Sequence, residues 1–296
     1  MALRLGRNDA AAFGWFDAGQ PWTSRQLAAL AGVSEPNMRR RLSQYAKAGL
    51  VTSSPAFDGS PGRPEHDYYV TPANARRLRD VCPGVEVRPA RARKPAAAAH
   101  QRWLNEFWMS IEVALRNQDY YAYRLFPHYQ YDTADEKAPT NIRTHNTRSR
   151  TPSDATINAD FALTMSCRAG CSLAYGEIDL GTESLDSSVA RRATLLVKLE
   201  AYAAHHDSNG YTRLASRLGE SFSGFRVLVV STSKRRLAGI SKLCSGIGSS
   251  DFVWLTTLDC ITPGTVLGPI WQTGEGGELR PLLKHWRNEA GSETVK

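Results

Sequence analysis

"AYGEIDLGTESL", residues 174–185, is an apolar run that carries two acids, Glu177 and Asp179, and then breaks at Gly181. Side chains two positions apart on a strand point to the same face of a sheet, so both carboxylates share one face. Like charges buried side by side are costly unless a cation lies between them. The stretch therefore predicts either the edge of a metal site or a strand end whose acids are solvated or cap the turn.

Strand-like and helix-like patterns alternate around this stretch. The strand patterns are "ATINADFALTM" (155–165), "CSLAYGEIDLG" (171–181), "FRVLVVSTS" (225–233) and "DFVWLTTLDCI" (251–261). The helix patterns are "SSVARRATLLVKLEAYAAHH" (187–206) and "KRRLAGISKLCSGI" (234–247). A hairpin followed by helix, strand, helix and strand predicts an α/β fold around a mixed sheet. Upstream, 100–118 predicts an amphipathic helix, 120–131 a strand, and the polar segment 132–154 an exposed loop.

The acids of this region fall into an order that suits metal chemistry. Asp160 is expected in the middle of the first strand, Glu177 and Asp179 at the end of the second, and Lys198 on the helix that follows. Neighbouring strands lie about 5 Å apart, so a hairpin brings Asp160 beside Glu177. Convergent carboxylates suit Mg²⁺, and a nearby lysine can orient water or offset the charge of a phosphate. The order predicts metal-assisted hydrolysis of a phosphodiester, with Asp179 assisting.

The first 81 residues predict a different module. "TSRQLAALAG" (23–32) begins at an N-cap residue and ends at a glycine, and "VSEPNMRRRLSQYAKAGLV" (33–51) follows at once. Two strands, "LVTSS" (50–54) and "HDYYVT" (66–71), enclose a Gly- and Pro-rich tip. This order is typical of a winged helix-turn-helix domain.

Polar and basic side chains of the second helix and of the tip are the predicted DNA contacts, through base edges and phosphates of a major groove. They are Asn37, Arg39, Arg40, Arg41, Gln44, Lys47 and, on the tip, Arg63. The alternative is a three-helix segment that binds protein instead.

Charge supports the DNA-binding interpretation. Residues 1–99 hold 15 Lys+Arg against 8 Asp+Glu, a net +7, out of +8 for the whole chain. A basic excess confined to the first third suggests a nucleic-acid-binding module attached to a nearly neutral body. Residues 82–99, rich in Pro, Ala and Arg, predict a linker, so the domains expected are 1–81, 82–99 and 100–296.

Composition restricts the cellular setting. Five scattered cysteines argue against a disulfide framework and favour a reducing, cytoplasmic environment. No apolar run approaches the length of a membrane-spanning helix, so no membrane partner is expected.

Three segments, "NADFAL" (158–163), "GEIDLGTES" (176–184) and "LLVKLEAYAAHH" (195–206), resemble the replication-relaxation family of plasmid and mobile-element proteins. The resemblance implies a winged helix followed by a domain similar to the PD-(D/E)XK nuclease (restriction-endonuclease-like) fold. It also implies that Glu106 supplies the acid such folds often carry on their first helix, as a third metal ligand. The sequence departs from the pattern at Ala159, which stands before Asp160 where the family usually has proline. Asp154, near Pro152, is the alternative first acid.

The resemblance implies a DNA-binding accessory protein of a plasmid or integrated element, acting in replication initiation or DNA relaxation and mobilisation, with metal-dependent nicking by a DNA endonuclease as its catalytic form. The acidic strand reads Glu-x-Asp where the nuclease pattern has Glu-x-Lys. The alternative is therefore a non-catalytic winged-helix regulator whose nuclease-like domain mediates dimerisation or partner binding. Expected partners are double-stranded DNA, a second copy of the chain, and a relaxase or replication protein that contacts the apolar C-terminal strands.

Overall fold

The computed structural model describes residues 6–18, 20–55, 65–87, 89, 95–116, 118, 122–128, 137–146, 153–167, 170–181, 185, 195–247 and 251–283. The chain divides into two compact units, Met1–Val113 and Ala114–Lys296. None of the helices in these described ranges is long and apolar enough to cross a membrane.

The first unit consists of five helices and a small antiparallel sheet of strand order β1-β3-β2. Its helices are α1 (Arg7–Gly14), α2 (Ser24–Ala31), α3 (Glu35–Lys47), α4 (Pro72–Val81) and α5 (Pro95–Leu115). Its strands are β1 (Trp22–Thr23), β2 (Thr52–Pro55) and β3 (His66–Tyr69), and a 3-10 turn, Trp15–Ala18, follows α1. Helices α2 and α3 and strands β2 and β3 overlap the segments expected for them, whereas β1 was not predicted.

Local signals set the ends of α2 and α3. Thr23 accepts a hydrogen bond from the Gln26 backbone N–H, while the Gln26 side chain accepts from the Thr23 N–H, which forms a capping box. Gly32 ends α2 in the left-handed conformation, at φ +66°. Met38, Leu42 and Tyr45, at helical spacing, form the buried face of α3.

Helix α5 packs with the first unit over residues 95–113. The ring of Trp108 lies 5.7 Å from that of Trp15 and 5.9 Å from that of Trp22, and Met109 joins the same core. The apolar face of α5 is therefore part of the first hydrophobic core.

The second unit is built on a seven-stranded mixed sheet of order β12-β11-β10-β9-β8-β7-β4. Its strands are β4 (Ala122–Pro127), β7 (Phe161–Cys167), β8 (Gly170–Asp179), β9 (Arg226–Ser231), β10 (Val253–Thr257), β11 (Pro269–Thr273) and β12 (Gly276–Pro281). Its helices are α6 (Leu195–Asp207), α7 (Thr212–Leu218) and α8 (Lys234–Ile247). A separate hairpin consists of β5 (Asn141–Asn146) and β6 (Ser153–Asn158).

Strand directions confirm the predicted α/β class with a mixed sheet. The central strands β8, β9 and β10 are parallel, and the flanking pairs are antiparallel. Five consecutive residues of β9, 227–231, are buried, as expected for a strand covered on both faces.

Two expectations for residues 132–165 were wrong. The polar segment is not a continuous loop, because β5 and β6 form a hairpin within it, and Ile142 and Ile157 attach that hairpin to the core below α6. Strand β5 has a single apolar residue, Ile142, which is too little periodicity to reveal a strand in the sequence, whereas β6 overlaps the predicted strand of residues 155–165. Asp160 is not in the middle of a strand either, since it lies in the bend between β6 and β7.

Candidate functional site

Three side chains lie in a row across the strand ends of the second unit. Pro127 pairs with Phe161 and Phe161 pairs with Gly176, so the next positions on β4, β7 and β8 are His128, Asp160 and Glu177. The His128 N–H donates to the Asp160 carbonyl at 2.8 Å, and the Asp160 N–H donates to the Gly176 carbonyl at 2.9 Å. The backbone thus aligns an imidazole and two carboxylates across the ends of three neighbouring strands. We call His128, Asp160 and Glu177 the acid row.

Glu177 is the buried centre of this row and is only 2% exposed. Lys198 Nζ lies 2.8 Å from its Oε2, and the Tyr202 hydroxyl donates to its Oε1 at 2.7 Å. Lys198 and Tyr202 are four residues apart and therefore project from the same face of α6. Each oxygen of the carboxylate has a protein donor.

Close packing fixes the position of Glu177 in β8. The preceding residue, Gly176, lies against the ring of Phe161, and a Cβ built on Gly176 would stand 1.8 Å from Phe161 Cζ. Phe161 is fully buried, so its ring has no space to withdraw. Only glycine fits at this position.

Burial shifts the pKa values of the titratable groups in and beside the acid row. Burial raises the pKa of Glu177, and the Asp160 carboxylate acts in the same direction, whereas the Lys198 ammonium and the Tyr202 hydrogen bond oppose it. Burial also raises the pKa of the Tyr202 hydroxyl, to which Glu177 adds. Burial lowers the pKa of His128, with Asp160 opposing that shift and Lys198 reinforcing it.

Asp160 and Asp154 occupy different environments. The Asp160 carboxylate accepts the Ile178 N–H at 2.7 Å, which places it directly beside the Glu177 backbone. Asp154 belongs to β6, and its backbone position is opposite His145 of β5 in the separate hairpin. Of the two candidate first acids, the structure brings Asp160 to Glu177.

Asp179 has structural partners. Arg236 of α8 binds both carboxylate oxygens, with Nε at 2.8 Å and a terminal nitrogen at 3.0 Å. The Ser231 hydroxyl and the Gly181 N–H also donate to it, each at 3.0 Å. Asp179 therefore joins β8 to β9 and α8, which differs from the assisting role that the sequence suggested.

Glu106, the third expected metal ligand, belongs to the first unit. It forms a two-pronged pair with Arg25, at 3.0 and 2.6 Å, and it also accepts from the Gln26 amide at 3.1 Å. The described partners of Glu106 thus all belong to the first unit.

A Mg²⁺ ion requires several oxygen ligands in near-octahedral geometry. Lys198 and Tyr202 occupy both oxygens of Glu177, and an ammonium group beside a cation is repulsive. Within the described residues no three His, Cys, Asp or Glu side chains form a metal-binding group. In this arrangement the residues do not fit a Mg²⁺ site.

Helix α3 presents most of the predicted DNA contacts at the surface of the first unit. Arg39, Arg40, Gln44 and Lys47 are exposed and Asn37 is half-buried. Arg39 forms an ion pair with Glu35, and Arg40 donates to the Asn37 side chain at 3.1 Å. Residues of α3, β2 and β3 line a groove of about 970 Å³. Its lining includes Arg25, Arg39, Arg40, Lys47 and His66, together with Glu35 and Glu65.

Arg41 differs from its neighbours. Its guanidinium binds both oxygens of the buried Asp9 of α1, and its Nε lies 3.0 Å from the Tyr45 hydroxyl. Burial raises the pKa of Asp9, but hydrogen bonds from Arg41, the Gly6 N–H and Tyr45 outweigh it and lower that pKa. Arg41 thus joins α3 to α1 through this pair. Arg63 lies outside the described residues.

Sequence reasoning missed His128 and Arg236. His128 lies within residues 120–131, which are predicted as a strand, but its place beside Asp160 depends on strand register. Arg236 stands in a basic helix start, "KRR", where solvation is the usual state of such a residue.

Comparison with known proteins adds one match. A family model described as replication-relaxation matches residues 13–216, which is more than half of the chain and includes α3, the acid row and α6. This is the family whose motifs the sequence resembles. No curated protein matches the chain.

Proposed function

The chain belongs to the replication-relaxation family, and from that premise we propose that it is a double-stranded DNA-binding accessory protein of a plasmid or integrated mobile element. Its role is in replication initiation or in DNA relaxation during mobilisation. The first unit binds the DNA through α3.

The exposed face of α3 is the observation that carries this proposal. Met38, Leu42 and Tyr45 fix the helix to the core, so the opposite face carries Arg40, Gln44 and Lys47 into solvent. An α-helix with such a face fits the major groove, where arginine and glutamine bind base edges and lysine binds phosphate. Arg40 and Gln44 are one turn apart and therefore address neighbouring bases.

The test is fluorescence anisotropy of the full chain with duplexes that tile the DNA of its own element. Arg40→Ala is expected to weaken binding to the preferred duplex by about tenfold or more and to relax its sequence preference. Lys47→Ala is expected to weaken all duplexes alike and to reduce the slope of log K against log salt by about 1.

Arg76→Ala is the matched control, because it removes the same charge from an exposed position of α4 in the same unit. The control should retain the affinity and salt slope of the wild type. Equal losses in Arg40→Ala, Lys47→Ala and Arg76→Ala would reduce the effect to net charge and contradict a role for α3.

A second candidate function concerns the second unit, which we infer to be non-catalytic and to serve in dimerisation or in docking a relaxase or replication protein. Support comes from Glu177, whose two oxygens are bound by Lys198 and Tyr202, and from Asp179, which is bound by Arg236. A carboxylate with such partners serves to hold a helix against the strand that carries it.

Nicking of supercoiled element plasmid, with Mg²⁺ or Mn²⁺ or with neither, separates this inference from catalysis. We expect no metal-dependent nicking by the wild type or by Glu177→Gln, with unchanged DNA binding in both. Nicking by the wild type that is lost in Glu177→Gln would instead establish a metal-dependent DNA endonuclease. Sedimentation of the wild type with and without DNA tests for the homodimer.

A further inference from the structure

The second unit contains a polar cavity of about 80 Å³, which lies between β5, β8, α6 and α7. Its lining includes Asn141, Arg143, Tyr175, His205, Arg213 and Arg217. Neither Glu177 nor Asp160 lines it, so it is separate from the acid row. Among the described residues that line it there is no carboxylate and there are three guanidinium groups.

His205 is the buried polar group of this cavity. His205 is only 5% exposed, and neither nitrogen of its ring has a hydrogen-bond partner within the described part of the chain. Burial lowers the pKa of His205 to about 4, and Arg213 adds to that shift, so the ring is neutral near pH 7. A neutral imidazole still carries one N–H donor, and a buried donor without an acceptor is costly.

Gly210 packs directly against the His205 ring in the wall of the cavity. A Cβ on Gly210 would stand 2.3 Å from His205 Nδ1, so any side chain at this position would press on the ring. Gly210 also donates its N–H to the His205 carbonyl at 2.9 Å, which fixes the turn before α7. The glycine therefore allows the imidazole to lie against this turn, at the cavity wall.

Two arginines of α7 reinforce the positive charge of the cavity. Arg213 and Arg217 are four residues apart and lie on one face of the helix, where like charges repel each other. Neither has a carboxylate partner among the residues that the structure describes. An anion bound between them would remove this repulsion and would also accept the His205 N–H.

We propose that this cavity is a binding site for a phosphate group, held by Arg213 and Arg217 with His205 donating to one oxygen. Arginine forks match the oxygens of phosphate in pairs. One water occupies about 30 Å³ of liquid, so the cavity has room for a single tetrahedral oxyanion and not for a base or a sugar. The phosphate is either free inorganic phosphate or the terminal phosphate of a DNA strand.

The test is isothermal titration of the full chain, at constant ionic strength, with three probes: inorganic phosphate, a 5′-phosphorylated duplex and its 5′-hydroxyl counterpart. We expect saturable binding of phosphate at one site. Arg213→Gln and Arg217→Gln should each weaken it about tenfold, the usual effect of losing one charge-assisted contact. Both positions are exposed, so these variants are expected to keep the fold.

Arg235→Gln, an exposed change on α8 outside the cavity, is the charge-matched control and should bind phosphate as the wild type does. A preference for the 5′-phosphorylated duplex that Arg213→Gln abolishes would support a DNA end as the source. Equal binding of the two duplexes, with phosphate still bound, would support free phosphate. Absence of phosphate binding, or equal binding by the wild type and both α7 variants, would overturn the proposal.

This inference is independent of the DNA contacts proposed for α3, because all residues of the cavity belong to the second unit. Loss of DNA binding in Lys47→Ala with phosphate binding intact would concern α3 alone. Loss of phosphate binding in Arg213→Gln, with unchanged binding of the preferred duplex in the anisotropy test, would concern the cavity alone.

Discussion

Arg40 and Arg41 are adjacent in α3 and have opposite surroundings. Arg40 is exposed, whereas the guanidinium of Arg41 neutralises Asp9, a carboxylate only 2% exposed. Removing one partner of a buried pair leaves the other charge without compensation. The same residue type is therefore available to a ligand at one position and stabilises the fold at the next.

We predict that Arg41→Ala lowers the free energy of unfolding of the first unit by about 3 kcal/mol, because Asp9 then remains buried with fewer donors. Urea denaturation followed by circular dichroism measures the change. Arg40→Ala serves as the neighbour control and should leave the midpoint within about 0.5 kcal/mol of the wild type. Equal stability of Arg40→Ala and Arg41→Ala would contradict the assigned role of Arg41.

His205 gives the second unit a pH dependence of definite sign. Its pKa in the folded chain is lowered by burial to about 4 from a usual 6.5, so between these values the unfolded chain binds a proton that the folded chain excludes. The contribution to stability is complete above pH 6.5 and falls as pH decreases toward 4. The shift corresponds to roughly 3 kcal/mol at most.

We predict that His205→Phe removes this part of the acid sensitivity. The substituted ring keeps aromatic contact with Tyr175 and Phe225, whose ring centres lie 5.9 and 5.4 Å from the imidazole. Denaturation at pH values from 7.5 to 4.5 should show the wild type losing stability faster than the variant. Parallel profiles for the two proteins would refute the assignment to His205.

At the scale of elements, the β7–β8 pair depends on one close approach. A methyl group at Gly176 would overlap the buried Phe161 ring, which supports the strand end that carries Glu177. Gly176→Ala is expected to cost about 3 kcal/mol of stability, and more if the strands separate. Thermal unfolding monitored by circular dichroism measures the loss.

Gly246→Ala is the control for this substitution, because no atom lies within 4 Å of a Cβ added at Gly246 in α8. It should stabilise the chain by about 0.5 kcal/mol through the better helix propensity of alanine. A second variant, Phe161→Leu combined with Gly176→Ala, should recover part of the loss. A Gly176→Ala protein as stable as the wild type would disprove the overlap.

Helix α5 connects the element scale with the whole molecule. Polar side chains of α5 also contact the first unit, besides the apolar Trp108 and Met109. Gln101 donates to Gln20 at 2.6 Å, Arg102 binds Asp67 at 3.0 Å, and Asn105 donates to the Pro21 carbonyl at 2.5 Å. A unit that ended before α5 would expose all of these groups.

We predict that a fragment of residues 6–116 folds cooperatively and that a fragment of residues 6–94 does not. In the shorter fragment Trp22, buried in the whole chain, loses the Trp108 ring that covers it. Tryptophan emission should therefore shift to the red, and the urea transition should broaden, only in the shorter fragment. Cooperative unfolding of both fragments would place the boundary near residue 94 instead.

For the whole molecule, the sequence determined the fold class, the order of most elements and the family. Capping residues such as Thr23 and Gly32 act on their own helix, and the apolar stripe of α3 is set by helical period, so neither depends on distant partners. The acids of "GEIDLG" and the lysine of α6 were likewise visible as a local pattern. Charge asymmetry also required only the chain itself.

Only the tertiary structure decided which of these residues face each other. Register placed His128 beside Asp160, and packing gave both oxygens of Glu177 to Lys198 and Tyr202. It also turned Arg41 inward onto Asp9, joined Glu106 to Arg25, and left the ring nitrogens of His205 with no hydrogen-bond partner among the described residues, in an arginine-lined cavity. Such pairings arise between residues far apart in the chain, and no local period or propensity encodes them, because their free energy depends on burial and distance in the folded molecule.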